Sequence, residues 1–201
     1  MLKIGILGST RGSAMQPIIA AQESNQLKAE LVVVISNQED ALILDKARQH
    51  HIPACFLDQA KLKRADYDAL LSNKLKEYAV DYVVLIGYMR ILSEPFIAAW
   101  RHKVMNVHPS LLPAFANKMD RAVHQAVLEA GVRETGCTVH EVTERVDEGP
   151  IILQKKCPVF DNDTIDTLKA RVQSLEGQAL IEAIQIMALT KRDVTHAACH
   201  H

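Results

Sequence analysis

Three polar residues in this 201-residue chain have the types and spacing for chemistry at a small carbonyl: Asn106, His108 and Asp147. The first two lie in KVMNVHPSLLP (Lys103–Pro113), which opens as a short apolar strand and ends as a loop. Side chains two apart in an extended chain project from one face, so Asn106 and His108 point together. Pro109 disfavours helix at His108. An amide donor and an imidazole are thus delivered side by side at a strand end, where open α/β sheets place their ligands. Asp147 opens a tight DEGP turn and could fix the His108 imidazole and raise its pKa. Together the three suit acyl transfer to an amine. Attack on a formyl carbon builds an oxyanion, which an amide N–H and a protonated imidazole stabilise. A carboxylate takes the amine proton, directly or through water. No Ser or Cys nucleophile is needed, and Ser110 and Cys137 read as structural. The plainer alternative is a strand end with a satisfied histidine, plus a solvated turn-forming aspartate.

Two further stretches could hold ligands. Gly8-Ser9-Thr10-Arg11-Gly12-Ser13 follows a strand and precedes a helix, the setting in which backbone N–H groups and the helix dipole hold phosphate. It is neither GxGxxG nor a P-loop, although Arg11, Ser9 and Ser13 add polar donors, and a tight turn that merely needs glycine would look the same. Gly87-Tyr88-Met89-Arg90-Ile91-Leu92-Ser93 leaves the most apolar strand. Gly87 permits close backbone approach, Met89, Ile91 and Leu92 could line a flat apolar slot, and Arg90 could meet an anionic tail. A strand-to-helix connection whose apolar residues fold under is the alternative.

The elements that must position these residues alternate. Strands are expected at Leu2–Leu7, Glu30–Ile35, Ile52–Leu57, Asp81–Ile86 and 103–108. Helices are expected at Ser13–Gln26, Glu39–His50, Arg64–Tyr78 and Asp120–Ala130, the last stopped by Gly131. β-branched runs without alternation indicate a parallel sheet covered on both faces. The pattern is α/β: a doubly wound, mostly parallel, Rossmann-like sheet. Thr138–Val142 and Ile151–Val159, joined through the DEGP turn, form its antiparallel C-terminal extension. Thr164–Leu189 is a long amphipathic helix capped by Asp163 or Thr164. One domain over 1–190 and a disordered tail over 191–201 are expected.

Composition narrows the function. A formal net charge of −1 offers no basic field for a polyanion, so no nucleic-acid partner is expected. The longest apolar runs fall far short of the ~20 residues a membrane helix needs, and the start has no signal-peptide cleavage site. Four scattered cysteines without a CxxC pair suit reduced thiols in a cytoplasmic protein. The nine histidines show no tight ligand spacing, so no metal is expected.

Taken together, the glycine turn near Gly12-Ser13, VVLIGYMRILS (83–93), MNVHPSLLP (105–113), GCTVHEV (136–142) and VDEGPIILQ (146–154) resemble the folate-dependent formyltransferases, from residue 1 to about 185. Within that family the chain is most similar to the branch that formylates glycinamide ribonucleotide in purine synthesis. The resemblance implies 10-formyltetrahydrofolate as co-substrate and a monomer or homodimer. It puts Asn106, His108 and Asp147 in the catalytic positions. Met89, Arg90, Ile91 and Leu92 line the pteridine and its tail, with Arg64 nearby. Gly12, Ser13 and Ala14 hold the substrate phosphate, and Gln173 and Glu176 contact ribose or glycinamide. On sequence alone the last two would pass as a helix's polar face. Two departures stand out: Ala14 replaces the common asparagine in a turn lengthened by Thr10-Arg11, and 114–120 reads AFANKMD instead of the Pro-Gly-Leu-His type. Rival readings are an amino-sugar-nucleotide formyltransferase and a folate- or nucleotide-binding protein without catalysis. Formylation of methionyl-tRNA and formyltetrahydrofolate hydrolysis fit less well, since those family members carry an added domain. A dinucleotide oxidoreductase is disfavoured by the incomplete glycine fingerprint.

Overall fold

The computed structural model describes residues 1–59 and 61–197, with side chains through residue 190. Five strands, β1 (Leu2–Leu7), β2 (Ala29–Ser36), β3 (Ala54–Phe56), β4 (Tyr82–Leu85) and β5 (Val104–His108), are parallel. They are joined through α1 (Met15–Glu23), α2 (Leu42–Gln49), α3 (Arg64–Glu77) and α4 (Glu94–Ala99). Then come α5 (Arg121–Glu129), β6 (Glu134–Glu141), β7 (Ile151–Pro158) and α6 (Ile165–Ala197). The sheet order is β3-β2-β1-β4-β5-β6-β7, with β6 antiparallel to both its neighbours. This is the doubly wound sheet with an antiparallel end that the sequence pattern implied. The chain reverses its direction of travel across the sheet between β1 and β4, the point at which such folds bind ligands.

Each sheet face carries its own apolar layer. Ile18, Ile43, Val127 and Leu168 bring α1, α2, α5 and α6 against one face. Tyr67, Leu71, Leu75, Phe96 and Ile97 bring α3 and α4 against the other. Full burial of each such side chain contributes roughly 1.5–3 kcal/mol, which is why the central strands read as unbroken apolar runs. Helix α1 also lies close on α6: a Cβ on Gly177 would overlap the Pro17 ring.

The expected elements are present with shifted ends. β6 starts at Glu134, four residues before the expected Thr138, because Glu134–Gly136 continue the ladder with β7 despite the weak strand character of Glu134 and Gly136. Helix α6 is capped by Thr164, whose Oγ1 accepts the Thr167 N–H at 3.2 Å while Thr167 Oγ1 accepts the Thr164 N–H at 2.9 Å. Asp163 instead pairs with Arg171 at 2.6 Å. The α6 backbone runs to Ala197, beyond the Leu189 end read from the sequence and into the stretch expected to be an unfolded tail. Residues 198–201 lie outside the described residues. Among the described residues no helix is long and apolar enough to cross a membrane.

The turn between β6 and β7 is tightly closed. Glu141 N–H donates to the Pro150 carbonyl at 2.9 Å, joining the two ends of the 142–149 loop. Gly149 is buried there, and a Cβ on it would overlap the Glu141 carbonyl oxygen. Gly149→Ala is therefore expected to cost about 1–3 kcal/mol of stability. Urea unfolding should show a lower midpoint at unchanged slope.

Candidate active site

Strand register brings the first polar groups together. On β5, Asn106 and His108 share a face, and the antiparallel pairing sets them opposite His140 and Thr138 of β6. The intervening Met105, Val107 and Val139 face the core. His140 is the residue that sequence reasoning missed. Its own signal was the alternation Thr138-x-His140 inside GCTVHEV, the same two-residue spacing that singled out Asn106 and His108.

The hydrogen bonds of His140 settle its tautomer. Its Nδ1 lies 2.8 Å from the Glu141 carbonyl, which can only accept, so Nδ1 carries the proton. Nε2 then accepts from Asn106 Nδ2 at 3.2 Å. That bond orients the Asn106 amide and leaves its second N–H for another acceptor.

Asp147 completes the group from the β6–β7 loop. Its backbone sits in the left-handed region at φ 59°, which turns the side chain inward; only 8% of it is exposed. Oδ2 lies 3.4 Å from His108 Nδ1 and accepts the Asn117 N–H at 2.8 Å. Oδ1 lies 3.7 Å from His140 Nε2. Asn106, His108 and Asp147 thus converge as expected, around a fourth residue.

The loop after β5 is shaped for the same purpose. Thr138 Oγ1 donates to the Ser110 carbonyl (2.7 Å) and accepts the Leu112 N–H (3.0 Å). Gln154 Nε2 donates to Thr138 Oγ1 (2.9 Å) and to the Leu112 carbonyl (3.0 Å). Two side chains of the antiparallel extension therefore clamp 110–112. Beyond the cis Leu112–Pro113 bond, Phe115, Asn117 and Asp120 all take positive φ. The unusual 114–120 sequence supplies the Phe115 carbonyl to His108 Nε2 at 3.3 Å and the Asn117 N–H to Asp147.

Electrostatics correct one expectation. The His108 pKa lies below its ordinary value, because burial outweighs the neighbouring Asp147 charge and the Phe115 carbonyl. His140 is lowered for the same reason. His108 is therefore neutral at rest near pH 7, not protonated. Yet its two nitrogens face two acceptors, and a neutral ring has one N–H. Only the imidazolium donates to both, so the site resists that charge by burial and suits it by geometry.

The remaining predicted residues fall into three places. At the C-terminal end of β1, Gly12 takes positive φ and its carbonyl accepts the Met15 N–H at 3.0 Å; Ser13 is exposed, and Ala14 is the buried residue before α1. Ser9, expected to add a donor there, is spent internally: its hydroxyl donates to Asn37 Oδ1 (2.6 Å) and accepts the Met89 N–H (2.9 Å). After β4, Met89 and Ile91 are exposed while Leu92 is buried in the apolar layer under α4 and so supports the loop from beneath. Arg90 lies 4.3 Å over the Tyr67 ring and donates to Gln59. Arg64 is exposed at the start of α3. On α6, Gln173 is half-buried. Glu176 has its carboxyl pushed up to about 7 by burial, against the opposing pull of Lys169. Lys169 pairs with Asp120.

A formyl transferase family model matches residues 2–184. Phosphoribosylglycinamide formyltransferase of Escherichia coli (strain K12) is 42% identical over 176 residues, 87% of this chain and 82% of that protein. The trifunctional purine biosynthetic protein adenosine-3 of Gallus gallus is 40% identical over 188 residues, 93% of this chain; the chain spans only 18% of that relative's length. The crystal structure of glycinamide ribonucleotide transformylase 1 from Symbiobacterium toebii superposes with a TM-score of 0.90 at 40% identity, covering 94% of this chain and 89% of that one.

One buried histidine beside the cluster gives a pH test. His124 on α5 is 2% exposed, its Nδ1 has no hydrogen-bond partner among the described residues, and burial together with Lys169 lowers its pKa to about 4. The unfolded chain, with a histidine pKa near ~6.5, binds more protons between those values. The stability held above the unfolded pKa is thus lost as pH falls toward about 4. Glu176 acts in the opposite sense, since its raised pKa favours folding at lower pH. The comparison must therefore be between variants. His124→Gln should lose about 1–2 kcal/mol less than wild type between pH 7 and 4, allowing for solvent screening, as read from urea unfolding at each pH.

Proposed function

The chain belongs to the formyl transferase family, and on that premise we propose that it moves the formyl group of 10-formyltetrahydrofolate to the amine of glycinamide ribonucleotide. Its relatives of comparable length carry that activity in their names. The observation that carries the reading is the buried Asp147 carboxylate 3.4 Å from His108, beside an Asn106 amide oriented by His140.

The chemistry follows from these groups. The substrate amine attacks the formyl carbon, and the carbonyl π pair moves onto oxygen. Asn106 donates its free N–H to that oxyanion, where one such donor is worth roughly 3–4 kcal/mol. The nitrogen that attacked becomes acidic, and Asp147 takes its proton directly or through a water. As negative charge builds, the neutral His108 becomes easier to protonate, because its imidazolium satisfies both Asp147 and the Phe115 carbonyl. Collapse of the intermediate re-forms the carbonyl and breaks the bond to the folate N10, which leaves with the proton that Asp147 took from the amine, returned directly or through a water. Met89 and Ile91 wall the pteridine, with Leu92 beneath; Arg90 and Arg64 serve the anionic tail. Gly12, Ser13 and Ala14 receive the phosphate through backbone N–H groups, and Gln173 and Glu176 receive the ribose or glycinamide. In this reading 1–190 is one catalytic domain, working in the cytoplasm as a monomer or homodimer.

The test is turnover of purified protein with glycinamide ribonucleotide and a 10-formyl folate. Asn106→Ala and Asp147→Asn should each lower kcat by about 10²–10³-fold with the fold intact by circular dichroism. Near-normal turnover in either variant would remove that role. The acid limb of kcat/KM should fall below the ordinary histidine range, since His108 is held neutral. A limb at or above about 6.5 that persists in Glu176→Gln, which removes the carboxyl raised to about 7, would contradict that.

A further inference from the structure

Two of the groups around His108 and Asp147 come from the 114–120 loop, which is neither helix nor strand. Phe115 turns its carbonyl to His108 Nε2 at 3.3 Å, and Asn117 gives its N–H to Asp147 Oδ2 at 2.8 Å. The near end of the loop is fixed by Ser110, whose Oγ donates to the Ala114 carbonyl at 2.6 Å. The far end closes through a corner at Asp120, with φ 46° and ψ −123°. Glycine adopts that corner far more readily than a residue with a Cβ. The Ala122 N–H donates across it to the Met119 carbonyl at 3.1 Å. An aspartate stays in such a conformation only when its surroundings hold it there.

Helix α6 provides that hold. Lys169 Nζ donates to Asp120 Oδ1 across 49 residues of sequence, and this hydrogen bond keeps the Asp120 carboxyl below the usual carboxylate range. The Lys169 side chain is only 26% exposed, so water screens the pair less than it would a pair at the open surface. The neighbouring pair, Arg121 with Asp166, is exposed on both sides and holds correspondingly little. Gln173 and Glu176 follow Lys169 by four and seven residues, which sets all three on one stripe of α6. The clasp on the loop is thus made from the helix face that the reading above gives to the substrate.

We propose that Lys169 is a positioning residue for the catalytic group. By pairing with Asp120 it holds the far end of the 114–120 loop, and so keeps the Asn117 N–H on Asp147 and the Phe115 carbonyl on His108. The inference rests on the functional reading above for what that group does. It adds that a residue of α6, hydrogen-bonded to neither His108 nor Asp147, sets the bonds of both.

The experiment combines steady-state kinetics with hydrogen exchange of the Asn117 amide, followed by NMR on the intact protein. Lys169→Met keeps the apolar stem and removes the charge. It should lower kcat by about tenfold and speed Asn117 exchange by about tenfold, with the amides of β1 and β4 unchanged. Asp120→Asn removes the other charge at an exposed position, with a residue that tolerates positive φ, and should do the same whether or not Lys169→Met folds. The double variant should be no worse than either single one. Arg121→Gln, which breaks the exposed pair next door, should leave both readouts at the wild-type values. Losses that add in the double variant, or an Asn117 amide as slow as that of wild type in either single variant, overturn the inference. So does an equal loss in Arg121→Gln. A raised KM with kcat unchanged also overturns it, and marks Lys169 as a substrate contact instead. A wild type that does not turn over glycinamide ribonucleotide overturns the functional reading, and the Asn117 exchange rates then decide the clasp by themselves.

Discussion

The site depends on one carboxylate taken out of water and set between two imidazoles. Asp147 approaches His108 at 3.4 Å and His140 at 3.7 Å, and its main solid hydrogen bond is to a backbone donor, Asn117 N–H at 2.8 Å. Holding it there demands a left-handed backbone at residue 147, a cost that the surrounding loop must offset. The Glu141–Pro150 closure and the buried Gly149 hold the base of that loop. On the far side the 114–120 loop bends through three positive-φ residues to deliver the Asn117 N–H. Neither loop sets the carboxylate's position by itself.

Burial and geometry pull His108 in opposite directions, and that tension is useful. A fully protonated imidazole at rest would bind the Asp147 charge tightly and leave it a poor acceptor for an amine proton. Burial keeps the ring neutral, so the carboxylate remains available. The two acceptors on the ring make its protonated form favourable once negative charge develops nearby. His140 has a quieter part. Its proton is committed to the Glu141 carbonyl, which makes it an acceptor and fixes which way the Asn106 amide faces.

Much of this was legible in the sequence, for reasons that vary by element. The apolar runs of β1, β2 and β4 and the two-residue spacing of Asn106 and His108 are local signals, and local signals survive folding. The link from Asp147 to His108 crosses 39 residues, and beside the family resemblance only the DEGP turn hinted at it. His140 carried the same alternation as His108, yet a lone buried histidine in a strand is ordinarily a satisfied core residue. Nothing marked Thr138 and Gln154 as a clamp, because a clamp made of side chain to backbone bonds has no characteristic spacing. The sign of the His108 shift was unreadable for another reason. It is set by how much apolar protein covers the ring, a quantity that a sequence does not contain. Ser9 looked like a ligand donor but is consumed in joining Asn37 to the Met89 backbone, and Leu92 looked like a wall but is packed under it.

The central claim, that a neutral His108 stands against the Asp147 carboxyl with His140 protonated at Nδ1, is open to direct observation. Nitrogen-15 NMR of the histidine side chains across pH 5 to 8 reports the charge and tautomer of each ring. The account predicts that His108 is neutral at pH 7 and titrates below about 6.5, with His140 in the Nδ1–H form at pH 7. A His108 ring already carrying both protons at pH 7, or a His140 protonated at Nε2 and so unable to accept from Asn106, would contradict it.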